Sequence, residues 1–200
     1  MRNRTATILA TLACGLLLVS GCSSSSSDGG SATSTIPKSA SFNSTDVGYA
    51  QGMIPHHAQA IEMARLVPDR STNDDVRALA AAIEAAQGPE ITELQGWLRD
   101  WGQKVPPADG DHDMSEYPAM TMTGMLSAAD MRRLEGADGT EFDRLFLEFM
   151  VLHHEGAVEM AEDEVAGGKA PETVEQAERV IRDQTAEIAG IERILAGLPT

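Results

Sequence analysis

An all-α fold, a four-helix bundle built from one helical hairpin used twice, is what this 200-residue sequence predicts. The first observation behind it is repetition. MIPHHAQAIEMA, Met53 to Ala64, returns as MVLHHEGAVEMA, Met150 to Ala161, with seven of twelve positions identical at an offset of 97 residues. The same offset aligns Asp46 with Asp143, Tyr49 with Phe146, Gln87 with Gln184, Glu90 with Glu187, Ile91 with Ile188 and Leu98 with Leu195. Repetition on this scale marks a structural unit. The second observation is apolar spacing of helical period around each copy, with no strand-rich stretch elsewhere. The third is punctuation by Gly, Pro and capping residues that divides the chain into long amphipathic segments. Two hairpins of such helices close most simply into a bundle.

The N-terminus reads as an export leader. Arg2 and Arg4 precede an apolar run from Ala6 to Val19, and Val19-Ser20-Gly21-Cys22 follows. The run is too short to span a bilayer, and this order of features is that of a secretory signal ending in a lipobox. Bacterial lipoprotein signals have this form, which implies cleavage before Cys22 and a lipid on its sulfur. An ordinary secreted protein cut elsewhere is the alternative. The expected division is a leader over residues 1–21, a Ser/Gly-rich flexible tether over 22–42, and one helical domain over 43–200. Within that domain the first repeat covers about 43–102, a connector 103–139, and the second repeat about 140–198. Cys14 leaves with the leader and Cys22 is lipidated, so no thiol remains for a disulfide or a metal. The formal charge of −16 becomes about −18 once the two leader arginines are gone. That sign argues against nucleic acid as a partner and leaves the lipid as the only attachment to an anionic membrane. Small cations suit such a field.

Asn43, Ser44 and Thr45 supply N-cap oxygens for a first helix, with the Asp46 carboxylate in its first turn. It is expected to run to about Val67 and close at Pro68, with Pro55 removing one amide donor and kinking it. Asn73, Asp74 and Asp75 open a second helix that carries Val76, Leu79, Ile83, Ile91, Leu94 and Leu98, bends at Gly88-Pro89, and ends near Gly102. From Lys104 to Met125 prolines and glycines give a loop holding His112, Met114, Met120, Met122 and Met125. Ser127 with Asp130 caps a short helix to about Glu135. Thr140 with Asp143 repeats that pattern and opens the third long helix, which ends at Gly167-Gly168. Pro171 is suited to the first position of the fourth, which ends near Gly197.

The chemistry lies in the repeat. With Met53 at zero and about 100° per residue, His57 falls at about 40°, His56 at about 300°, Met63 at about 280°, and Glu62 points away at about 180°. The same holds for Met150, His153, His154, Met160 and Glu159. Both histidines therefore edge the buried face, one of each pair toward the bundle axis and its neighbour at a helix seam or the rim. Met63 and Met160 read first as core filler and second as ligands. Burying imidazole without partners is costly, so a repeated pair indicates either a metal site or a polar network, for instance histidine bonded to Asp46 or Asp143. Thioether with imidazole and no thiolate suits Cu(I), and imidazole alone suits Cu(II) or Zn(II). Ferritin-like iron sites need Glu-x-x-His. Met53, Ile54, Met150 and Val151 stand three residues before the four histidines, so a ferroxidase is disfavoured. No nucleophile elbow, phosphate-cradling Gly loop or HExxH motif is present, no catalytic residue is assigned, and no organic cofactor is implied.

The two HH stretches, the Met-rich connector between them, and the GADGTEFDRLFLEFM approach to the second resemble domain-of-unknown-function family 305, over roughly Asp46 to Leu198. The resemblance implies a ferritin-like bundle with the paired histidines inward, in secreted or lipid-anchored bacterial proteins. Some members are associated with copper binding and tolerance, which implies a similar role here. On the matching positions it carries over His56, His57, His153 and His154 as candidate ligands, then Met53 and Met150. The loop residues match only loosely. The leading expectation is a lipid-anchored, extracytoplasmic protein that binds or buffers copper. The alternative is a metal-free interaction module with a buried histidine network, whose acidic surface engages a protein of the cell envelope.

Overall fold

The computed structural model describes residues 36–108 and 123–199. They form a helical bundle of four long helices and one short one: α1 (Ser44–Arg70), α2 (Asp74–Asp100), α3 (Ala128–Glu135), α4 (Gly139–Gly167) and α5 (Pro171–Gly197). Links of three residues, 71–73 and 168–170, fold α1 onto α2 and α4 onto α5 as antiparallel hairpins. The hairpins meet chiefly through α1 and α4, while α2 and α5 touch each other little and lie on the outer sides. Among the described residues no helix is long and apolar enough to cross a membrane.

Local chemistry explains where most helices begin. The Asn43 side chain accepts from the amides of Thr45 (2.6 Å) and Asp46 (3.2 Å), and the Asp46 carboxylate accepts the Asn43 amide in return. Asn73 accepts from Asp75 and Val76 to start α2, and Ser127 accepts from Asp130 to start α3. Pro171 opens α5. The expected Thr140–Asp143 box is not made. Instead α4 begins at Gly139, whose φ of +58° turns the chain sharply into the helix, after Asp138. The Asp138 carboxylate is drawn away to Arg70 at 3.2 Å, so no side chain caps α4.

Helix α1 also differs from expectation at its end, because it passes through Pro68 and stops at Arg70. A proline in the last turn forfeits one amide donor, and the carbonyls at the helix end, which lack later helical amides, find donors of their own. Ser71 N bonds to the Val67 carbonyl at 2.9 Å, and Arg77 reaches the carbonyls of Pro68 and Ser71. Both α1 and α2 are continuous through Pro55 and Pro89.

Two apolar clusters fill the bundle. One joins Met63, Val67, Val76, Ile83, Phe142, Phe146, Met150 and Ile191, and the other Met53, Ile54, Leu94, Leu98, Ala157, Met160, Ala177 and Val180. In sequence they flank the histidine pairs on either side. At the start of α1, buried Asp46 ties the hairpins together. Its Oδ1 accepts from Lys169 N (2.8 Å), Ala170 N (2.9 Å) and Thr173 Oγ1 (3.0 Å). Burial alone would raise its pKa, yet the amides of Ala170, Asn43 and Lys169 outweigh burial and hold the carboxyl below its ordinary value.

Asp46→Ala strands those donors and removes the reciprocal half of the α1 capping box. It is expected to lower unfolding stability by about 2–4 kcal/mol, read as a shift in urea midpoint at unchanged slope.

Candidate metal centre

Helices α1 and α4 run antiparallel, as Asn43 on Gly167 at one end and Arg70 on Ala137 at the other require. When two antiparallel helices carry the same motif, one pair of equivalent positions lies directly opposite. That pair is His56 and His153. Their rings meet with centroids 3.9 Å apart at 42°, and the two residues are 0% and 1% exposed. His57 and His154 are buried to the outside, at the α1–α2 and α4–α5 seams. The helical arithmetic of one inward and one seam histidine per copy describes this arrangement.

The seam histidines do not bond to Asp46 or Asp143, as the sequence reading entertained. His57 Nε2 donates to Glu90 Oε2 at 2.8 Å, and His154 Nε2 donates to Glu187 Oε2 at 2.7 Å. The reason is reach: Asp46 is engaged at the end of α1, whereas Glu90 and Glu187 stand beside the rings on the partner helix of each hairpin. Glu90 and Glu187 align at the 97-residue offset, and that alignment was the signal that could have found them. His56 Nε2 donates to the Thr123 carbonyl at 3.0 Å, and neither ring nitrogen of His153 has an aligned partner. These contacts assign the hydrogen to Nε2 in His56, His57 and His154, leaving Nδ1 with the lone pair in neutral imidazole. All four Nδ1 atoms are buried without a hydrogen-bond partner.

Burial sets the ionisation of the central pair. Desolvation, then the neighbouring histidines, lower the His56 pKa to about 3 against modest support from the Thr123 carbonyl. His153 is driven well below its ordinary value first by desolvation and then by His56, His154 and His57. Both are neutral at physiological pH, the state in which imidazole binds metals.

Among the methionines, Met53, Met63 and Met150 are fully buried and Met160 is 7% exposed. They stand in the two apolar clusters, so core packing is a role all four perform. Met125 is half-buried at the end of the connector. His112, Met114, Met120, Met122 and Cys22 lie outside the described residues. Among those described, no group of three or more His, Cys, Asp or Glu side chains is arranged to hold a metal ion. A cavity of about 310 Å³ lies away from the histidines, between the start of α1 and the end of α4, lined by Ser44, Tyr49, Met160, Asp163 and Glu164 among others. Glu164 is buried there, and desolvation raises its pKa to about 7, with the Thr173 hydroxyl opposing and Asp46 reinforcing.

Residues 46–195 match the family Domain of unknown function (DUF305). The chain belongs to this family. Solved DUF305 structures share its architecture: one from Streptomyces coelicolor is 33% identical, with a TM-score of 0.68 over 76% of this chain and 93% of that one. A DUF305 fragment from Deinococcus radiodurans is 30% identical, with a TM-score of 0.67 over 78% and 98%. CopM in its Cu(I)-bound form is 28% identical, with a TM-score of 0.62 over 76% and 96%. A curated relative, uncharacterized protein L153 of Acanthamoeba polyphaga mimivirus, is 38% identical over 53 residues, 26% of this chain and only 35% of that protein's length.

The two sets of buried groups give opposite pH dependences in the metal-free protein. Unfolded histidine takes up a proton below about pH 6.5, while folded His56, lowered to about 3, and folded His153, held well below its ordinary value, resist it, so their contribution is full above about pH 6.5 and is lost progressively below it. Unfolded Glu164 ionises above 4.5 but folded Glu164 only near 7, so stability is lost as pH rises through that window. Thermal melts across this range are expected to flatten on the acid side in His56→Leu/His153→Leu and on the neutral side in Glu164→Gln.

Proposed function

We propose that this DUF305 protein is an extracytoplasmic metal-binding protein that binds and buffers copper, held at the membrane by a lipid on Cys22. The observation that carries the reading is the His56–His153 pair. Two neutral imidazoles, closed off from solvent, face each other with Nδ1 of both and Nε2 of His153 unpartnered. Such atoms cost free energy unless something satisfies them, and a cation that accepts imidazole does so. The donor set fits copper in chemistry: imidazole on both helices and, three residues before His56 and His153, the thioethers of Met53 and Met150, buried in the flanking apolar clusters. His56 and His153 would hold the metal, and the rings must separate from their present contact to admit it. His57 and His154, oriented by Glu90 and Glu187, would be the next ligands, since a carboxylate on the far nitrogen fixes ring orientation and raises basicity. The likeness to CopM in Cu(I)- and Cu(II)-bound forms supports this choice of metal. For location, the support is a Streptomyces coelicolor relative described as secreted, together with the leader-like sequence before Cys22.

One observation favours a metal-free module instead. His57 and His154 already have carboxylate partners, and His56 already bonds to the Thr123 carbonyl. In that case the acidic surface would serve an envelope partner.

Anaerobic competition for Cu(I) against a chromophoric chelator, on protein without a His tag, tests the choice. Tight near-stoichiometric binding that is lost in His56→Gln/His153→Gln is expected. Unchanged affinity in that variant sinks the site, and no binding by the native protein selects the module. Glu90→Ala and Glu187→Ala are each expected to weaken binding by about 10–100-fold, the usual cost of losing an outer partner of a metal-bound histidine.

A further inference from the structure

The last described turn of the connector, Thr123–Leu126, lies across the central histidine pair and is fastened on both sides. On the α1 side the Gln59 side-chain amide clasps Leu126 at two points, donating to its carbonyl at 3.1 Å and accepting its N–H at 2.8 Å. His56 Nε2 adds its bond to the Thr123 carbonyl. On the α4 side the strap sits directly on the backbone. A Cβ placed on Gly156 would stand 2.1 Å from the Thr123 oxygen, and one on Gly124 would stand 2.6 Å from the Leu152 oxygen. Gly124 also has a φ of +82°, which side chains rarely adopt.

Gln59 and Gly156 are equivalent positions at the 97-residue offset. The copies agree at both histidines and diverge here, one helix supplying a clasp and the other supplying room. A single connector crossing a twofold arrangement demands that asymmetry. The strap residues themselves are only half-buried, whereas the rings beneath are 0% and 1% exposed. It is therefore a cover held by a few polar contacts and by Leu126, which packs half-buried against one apolar cluster.

We propose that Thr123–Leu126 is a gate on the His56–His153 pair, latched by the Gln59 amide and seated on Gly156. It rests on the copper reading for its purpose, and its geometry stands apart from that reading. Closed, it occupies His56 Nε2 and shuts out water. Unlatched, it lifts from Gly156 and opens a path from solvent to both rings, so the latch governs how fast metal enters and leaves.

Gln59→Ala removes both clasp bonds and leaves every histidine and methionine in place. Gly156→Ala evicts the strap sterically while favouring the helix. The first readout needs no metal: modification of His56 and His153 by diethyl pyrocarbonate in the metal-free full chain, followed by mass spectrometry. Both variants are expected to react at least about tenfold faster than the native protein, the scale set by two lost hydrogen bonds, with helical circular dichroism unchanged. Equal rates in native and Gln59→Ala protein overturn the gate, and that variant alone decides if Gly156→Ala does not fold. The second readout is the rate of Cu(I) transfer from a chelator, expected to rise in parallel. Faster modification without any copper uptake keeps the gate and refutes the copper reading. Faster modification with copper transfer at the native rate overturns the gate as a control on metal.

Discussion

Enclosing four imidazoles in the bundle, two between α1 and α4 and one at the seam of each hairpin, is the constraint on which the rest depends. Each ring brings two polar nitrogens into the interior, and an unsatisfied one costs on the order of 1–3 kcal/mol. The fold answers part of that cost with Glu90, Glu187 and the Thr123 carbonyl, and it leaves the remainder unanswered. Apolar clusters on either side of the histidine layer supply the stability that such a layer withholds. Desolvation keeps the central pair neutral, so closure of the helices does not confront two buried charges. A polar layer arranged in this way is poor as a stabilising element and well matched to a cation.

The departures between the two copies follow from what each helix must touch. Pro55 is buried, whereas its counterpart Leu152 is 56% exposed. Gln59 clasps the connector, whereas Gly156 gives it backbone to lie on. Val67 packs in an apolar cluster, whereas its counterpart Glu164 is buried beside Asp46, where the α4–α5 turn is tied to α1. Identity is kept at the histidines and their carboxylate partners and abandoned where the single connector or an interhelical turn breaks the symmetry.

Much of this was legible in one dimension. Helical period and capping residues located α2, α3 and α5, and Asn43 with Asp46 opened α1 as their side chains required. Two boundaries were not. Pro68 does not end α1, because Arg77 and Ser71 satisfy the carbonyls of its last turn, and Arg77 belongs to the next helix. Thr140 does not cap α4, because Arg70, far away in sequence, draws Asp138 aside and Gly139 supplies the turn. Both differences arise from side chains that reach between elements, which local spacing does not contain.

For the site, the sequence by itself determined that four histidines and four methionines line buried helix faces and that they come as two equivalent sets. Period and repetition are sufficient for that, since both are properties of the chain. Only the tertiary structure decided that His56 meets His153 while His57 and His154 turn to Glu90 and Glu187, and that Thr123–Leu126 closes over the pair. Those outcomes depend on which helices lie side by side and in which direction, and they are fixed when the two hairpins pack, not when each helix forms.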